Sequence, residues 1–171
     1  TAADGLRAVN AVTPRQIAQS DQDFSVDMGA RVYNYGTNNQ TDVTLTATVE
    51  YGGSVIYNQT SAPMAINSGD TAFIPLPTFS QLTYDIGYYT VTYLVNMGPV
   101  DEFVYDNTMR ADFQISQNLL SLGQLDTAMA LEPGQFFRAV NSGGNTDYTG
   151  CFHFRDSNAS RLSVDGIWFA A

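Results

Sequence analysis

His153 is the only histidine in the chain and Cys151 its only cysteine, so any chemistry built on imidazole or thiol must centre on these two positions. They stand two apart in Gly150 to Arg155, a stretch that reads as a strand. Both side chains would then project from one face, with no third group evident to orient them as a nucleophile and its base. A packed or surface histidine is the plainer account. The single thiol also excludes an internal disulfide or a multi-thiolate metal site, and Cys151 reads as a small buried hydrophobe. Oxygen ligands are better represented. Asp101, Glu102 and Asp106 fall close together and could supply carboxylates to Ca²⁺, which takes roughly six to eight oxygens. The competing account is a solvated acidic turn, because the spacing is not that of an EF-hand loop. Ser142-Gly143-Gly144-Asn145 is glycine-rich but lacks the Lys-Ser/Thr and helix of a phosphate loop.

Ten Tyr, ten Phe and one Trp offer a different chemistry, since exposed aromatic faces stack on pyranose rings. Most must be core. Tyr89, Val91, Tyr93 and Val95 share one face of a strand, while Tyr88, Thr90, Thr92 and Leu94 share the other, which makes Tyr88 the candidate for exposure. Trp168 sits in an apolar run and is expected to pack. Asn39-Gln40-Thr41, Asn58-Gln59-Thr60 and Asn158-Ala159-Ser160 are N-glycosylation sequons, with meaning only in a eukaryotic secretory route.

The elements that would position these groups are strands. Val43, Leu45, Ala47 and Val49 alternate with Thr44, Thr46, Thr48 and Glu50, and Tyr51-Gly52-Gly53-Ser54 then makes a hairpin turn to a partner running from Ser54 to Thr60. Leu6 to Val12 ends at Thr13-Pro14 as a first strand or linker. Phe24 to Tyr35 alternates on both sides of Gly29, where a bulge is expected. Asn67 to Asp70 is a turn, and Pro75 and Pro77 suggest that Thr71 to Leu76 is an edge strand or close to its end. Met109 to Ile115 places Ala111, Phe113 and Ile115 on one face. Between them, Asp85-Ile86-Gly87-Tyr88-Tyr89 runs into Thr90 to Val95 with the Asp-x-Gly-x-Tyr spacing of a tyrosine corner, in which a tyrosine hydroxyl returns to backbone a few residues upstream.

Short strands with turns between them define an all-β chain: an Ig-like antiparallel β-sandwich held without a disulfide. After Ser116 the texture changes. Only Gly150 to Arg155 and Arg161 to Ala170 read as strands there, too little to bury a core alone, so an incomplete second β unit is expected. The expected organisation is an N-terminal strand or linker over 1–22, the sandwich over 23–116 and a partial second module over 117–171. The chain begins at Thr1, without Met or a signal peptide, which suits a processed or excised piece of an exported protein.

Composition sets the limits on function. The 171 residues are 44% hydrophobic but only 14% charged, and seventeen Thr with many Asn, Gln and Ser supply the polar surface. There is no Lys, and seven Arg face seventeen Asp plus Glu, a net charge of -10. Nucleic acid and anionic membrane surfaces are disfavoured by sign alone. No stretch approaches the roughly 20 apolar residues of a membrane helix, so no membrane insertion is expected.

Val32-Tyr33-Asn34-Tyr35-Gly36-Thr37, Thr44 to Val49, Ser68-Gly69-Asp70, Gly87-Tyr88-Tyr89-Thr90-Val91, Asp101-Glu102 and Asp106-Asn107 together resemble the Ig-like, CARDB-type modules of secreted Bacteroidetes surface proteins. The resemblance covers about 23–116. Thr149 to Phe152 and Arg161 to Ile167 look like the opening half of a jelly-roll module that often follows in the same architectures. Asp70-Thr71-Ala72 and Asp126-Thr127-Ala128 resemble the O-glycosylation signal of Bacteroidetes, which would mark Thr71 and Thr127, though so short a tripeptide also recurs by chance.

What the resemblance implies is a noncatalytic module, secreted or at the cell surface, serving adhesion, spacing or assembly, with no cofactor beyond the Ca²⁺ considered above. Its partners would be other protein domains, copies of itself or a polysaccharide. Two alternatives stay open: a structural subunit of an extracellular filament, sheath or capsid completed by strand exchange between copies, and a carbohydrate-binding accessory module. An enzyme is the reading that the residues support least.

Overall fold

A computed structural model describes residues 11–98, 104–121 and 156–167. In chain order the strands are β1 (Val12–Pro14), β2 (Gly29–Tyr33), β3 (Gln40–Tyr51), β4 (Ser54–Thr60), β5 (Met64–Ile66), β6 (Thr71–Pro75), β7 (Gly87–Asn96) and β8 (Thr108–Ser116). The alternation read from β3 is the alternation observed: Val43, Leu45, Ala47 and Val49 are buried and the threonines between them half-buried. Each Val or Leu side chain among them contributes about 1.5–3 kcal/mol when taken out of water, offset by the entropy of ordering it. Gly52 (φ 58°) and Gly53 (φ 79°) close the β3–β4 hairpin at the Tyr51–Ser54 pair, the double positive φ that a two-residue turn needs.

The strands form two facing sheets. The large one runs β1-β8-β7-β3-β4, with β5 also on β3, and the small one pairs β2 with β6. All pairings are antiparallel except β1 on β8, where Val12 to Pro14 run beside Gln114 to Ser116. The segment Val12 to Ala18 therefore belongs to the sandwich body: Val12, Ile17 and Ala18 are buried, and Ala18 joins the core cluster. Val26, Met28, Ala30 and Val32 face the core through Gly29 without a change of phase, and the β2–β6 register stays constant. The bulge expected there is absent. Gly29 is required for a different reason: at φ 149° a Cβ would meet Phe73 Cζ at 2.7 Å and Ile74 O at 2.8 Å.

The tyrosine corner is present. Asp85 N–H donates to Tyr89 Oη at 3.0 Å and that hydroxyl donates back to Asp85 O at 2.9 Å. Gly87 is needed in this motif because a Cβ there would lie 2.9 Å from Tyr51 Cε2. The same idea recurs along the β6–β7 connection. Tyr51 Oη donates to Ile86 O at 2.9 Å, Tyr57 Oη to Pro77 O at 2.5 Å and Tyr84 Oη to Phe24 O at 2.9 Å, while Gln81 N–H donates to Tyr84 Oη at 3.1 Å. A connection without regular secondary structure is thus strapped by side-chain hydroxyls at Pro77, Gln81, Asp85 and Ile86. Their rings fill the core beneath it, with Tyr89 stacked on Phe113 at 4.8 Å and on Tyr51 at 4.7 Å. Burial pushes the phenols of Tyr84 and Tyr89 up to about 12, and raises those of Tyr57 and Tyr93 as well.

Of the second unit expected over 117–171, the described part comprises 117–121 and 156–167. Ser121 bridges to Val12 at the sheet edge. The strand expected from Arg161 to Ala170 is not seen in its described part: Ala159–Arg161 form a 3₁₀ turn and 162–167 join no strand. Alternating residues specify a strand only where a sheet takes up one face, and Val164 and Ile167 are 80% and 81% exposed. This segment instead touches the sandwich through polar contacts. Arg161 Nη1 donates to Asp23 Oδ2 at 2.8 Å and Asn158 Nδ2 to Asp23 Oδ1 at 3.2 Å. The Arg161 guanidinium holds the Asp23 carboxyl below its usual range.

Candidate functional site

The register places three connections at one end of the sandwich. β2 ends and β3 begins there, so 34–39 lies at that end; β5 ends where β6 begins, bringing in 67–70; and β7 and β8 are joined there by 97–107. In the lettering of immunoglobulin domains the first and third correspond to the B–C and F–G loops, which in variable domains carry the ligand contacts.

Asn34 builds the first two loops into one unit. Its Nδ2 donates to Asn38 O at 2.9 Å and to Ile66 O at 3.1 Å, and its Oδ1 accepts from Gly36 N–H at 3.0 Å. Its backbone N–H donates to Asp70 O at 3.0 Å and its carbonyl accepts from Gly69 N–H at 2.9 Å. Ser68 closes the brace, with Oγ donating to Gly36 O at 2.6 Å and N–H donating to Asn39 Oδ1 at 3.0 Å. Asn serves here because one side chain both donates twice and accepts. The third loop is pinned at its base, where Val95 N–H donates to Asn107 O at 2.8 Å. The Asp42 carboxylate packs directly on Gly98, leaving no room for a Cβ.

This frame presents aromatic surface. Tyr35 rests on Tyr33 with ring centroids 3.8 Å apart and tilted by 41°, and remains 73% exposed. Tyr105, in the 3₁₀ turn Val104–Asp106, is 95% exposed. Around them stand amides and hydroxyls with the carboxylates of Asp70 and Asp106, and none of the three loops contains a basic residue. Such a surface can stack on a flat or ring-shaped partner and exchange neutral hydrogen bonds, and it disfavours polyanions.

The residues singled out in the sequence distribute unevenly. Asp106 closes the exposed turn Val104–Asp106 and Thr71 opens β6, exposed, so both lie at this loop end. Asp101, Glu102 and Thr127 lie outside the described residues, as do Cys151, His153 and Trp168. Among the described residues no three of His, Cys, Asp or Glu come together as a metal site. Tyr88 is half-buried on the outer face of the large sheet, so among the described residues the most exposed aromatics are Tyr35 and Tyr105 instead. The signal for Tyr35 was its place at the end of the Phe24 to Tyr35 alternation, directly before Gly36. No helix among the described residues is long and apolar enough to cross a membrane.

No protein-family model matches the chain, and no curated protein matches it. Among solved structures the chain is similar to the CARDB domain of a Pyrococcus furiosus protein, determined in complex with di-metal ions. The TM-score is 0.42 with 14% sequence identity over 63% of this chain and 86% of that domain. The two metal ions belong to that protein. The class of this chain, an all-β sandwich of Ig-like topology, rests on its own strand pairing.

Proposed function

We propose that this chain is a noncatalytic module of a secreted or cell-surface bacterial protein, serving adhesion, spacing or assembly, and that the loop end formed by 34–39, 67–70, 97–98 and 104–107 is its contact surface. The observation that carries this reading is the Asn34 brace. It spends side-chain and main-chain hydrogen bonds on fixing two loops to each other, and a preorganised surface loses less entropy on binding. The strapped β6–β7 connection makes the opposite end of the sandwich equally firm, as a spacer requires.

A carbohydrate-binding role is a second reading, favoured by the exposed Tyr35 ring seated on Tyr33 among neutral polar groups. Affinity electrophoresis of the chain in gels containing neutral polysaccharides, with Tyr35→Ala and Tyr105→Ala beside it, tests both readings. Retardation lost in Tyr35→Ala supports sugar binding at this end. No retardation by any polysaccharide removes the carbohydrate reading and leaves protein partners. Turnover of an ester, peptide or glycoside substrate, lost on His153→Ala, would overturn the noncatalytic reading.

A further inference from the structure

The two ends of the large sheet are finished differently. At one, β1 is bridged by the returning chain: Val12 N–H donates to Ser121 O and Ser121 N–H to Val12 O, both at 3.0 Å. At the other, β4 is the terminal strand, and among the described residues no strand lies beyond it. Exposed edges are ordinarily guarded by charge, proline or a covering segment. Ser54-Val55-Ile56-Tyr57-Asn58-Gln59-Thr60 has no charge, no proline and no glycine. The strands of the small sheet are guarded, β2 by Arg31 and β6 by Pro75 with Pro77 beyond it. The one guard on β4 is a register shift opposite Val49/Glu50, beside the hairpin.

We propose that β4 pairs antiparallel with β4 of a second copy, joining two large sheets into one across a two-fold axis. Charge selects the occupant. Copies of a chain with net charge -10 and no Lys repel over most of their surfaces. The strip formed by β4 and the outward row Thr44, Thr46 and Thr48 of β3 is uncharged until Glu50 at the hairpin. At the opposite side β1 covers only Gln114 to Ser116 of β8, and the rest of β8 carries Arg110 and Asp112, so among the described residues β4 is the uncharged edge of the large sheet; pairing of β4 with itself across a two-fold axis gives a closed dimer and not a fibre.

Facing sets the register. Tyr57 and Gln59 sit opposite Val49 and Ala47, on the inner face, and Asn58 opposite Thr48, on the outer face. Residues opposed across a two-fold must share a face, and the strand bends away at Ser61, whose N–H turns to Leu45 O at 2.9 Å. Without the residues on the hairpin side of the register shift the strand runs 56–60, and an axis at its midpoint passes through Asn58, placing Asn58 against Asn58 of the other copy and Tyr57 against its Gln59. This interface is separate from the loop end and stands whether or not that end binds a ligand.

Sedimentation velocity on the whole chain, from micromolar to millimolar concentration, tests it with Asn58→Lys and Asn58→Glu. The wild type is expected to dimerise. Each variant alone places like charges directly opposite and raises the dissociation constant about fivefold. An equimolar mixture of the two restores association to at least the wild-type level. Hydrogen exchange needs no variant: amides of 55–60 slow as concentration rises. A wild type that stays monomeric, forms open polymers, dimerises with these amides unchanged, or has variants that associate as it does would overturn the proposal. So would a mixture of two folded variants that fails to re-associate.

Discussion

Replacing Tyr89 with Phe deletes one oxygen and leaves the ring. The ring stays stacked between Phe113 and Tyr51, so the buried apolar area is unchanged and the loss falls on the two hydrogen bonds to Asp85. A neutral hydrogen bond contributes about 0.5–1.5 kcal/mol net, and a backbone group left unsatisfied away from water costs about 1–3 kcal/mol. Asp85 itself is exposed, so water reaches part of the vacated site, and the expected loss is about 1.5–3 kcal/mol. For a domain of about 100 residues that lowers Tm by about 7–14 °C. The assay is urea unfolding at neutral pH, where the midpoint should fall while the m-value holds. Tyr51→Phe is the control. It loses only the bond to Ile86 O, at an exposed residue, and should cost about 0.5–1 kcal/mol. A Tyr89→Phe chain within about 0.5 kcal/mol of wild type, or a Tyr51→Phe chain equally destabilised, would refute the view that the corner holds the connection.

Two pH effects follow from the same structure. Tyr84 and Tyr89 keep their protons to about pH 12 when folded, whereas an unfolded tyrosine loses its proton near its usual value of 10.0. Between those values the unfolded chain binds fewer protons, so stability is complete below pH 10 and falls as pH rises toward 12. Absorbance at ~295 nm, where the phenolate absorbs, should show a late tyrosine step that moves back toward 10 in urea. Asp23 has the opposite sign. Its folded pKa lies below 3.8, so the stabilisation from Arg161 is complete above that value and is lost as pH falls through the folded pKa. Arg161→Ala should raise the Asp23 pKa measured by NMR titration; an unchanged value would break the assigned contact.

Where local pattern and tertiary demand agree, the chain could be read directly. The period of two through β3, the paired glycines after Tyr51 and the Asp-x-Gly-x-Tyr spacing each encode their geometry within a few residues, and each is found as expected. What was not legible depends on distant partners. Nothing near Val12 signals that it will lie parallel to Gln114. Gly29 looked like a bulge because only the sequence around it was visible, while the constraint comes from Phe73 and Ile74 across the small sheet. Tyr88 has the alternation of an exposed residue but packs within a broad sheet face, and Tyr35 became the exposed ring because it left the strand for a loop. Leu162 to Ile167 join no strand among the described residues. In the candidate site the loop positions could be read, but the Asn34 brace could not, since its acceptors lie on two separate connections.

The position of β1 has a mechanical consequence. The chain enters beside Val12 and, after turning at Ser116, comes back to bridge the same residue at Ser121. Tension applied at Val12 and Ser121 would first peel the bridge between them, opening its hydrogen bonds in turn and releasing the short length of chain between Ser116 and Ser121. Only then would load reach β1 and β8. Because those strands run parallel, it would reach them as shear, straining their hydrogen bonds together and not one after another. A fold arranged in this way has a compliant first stage and a stiff second one, in series.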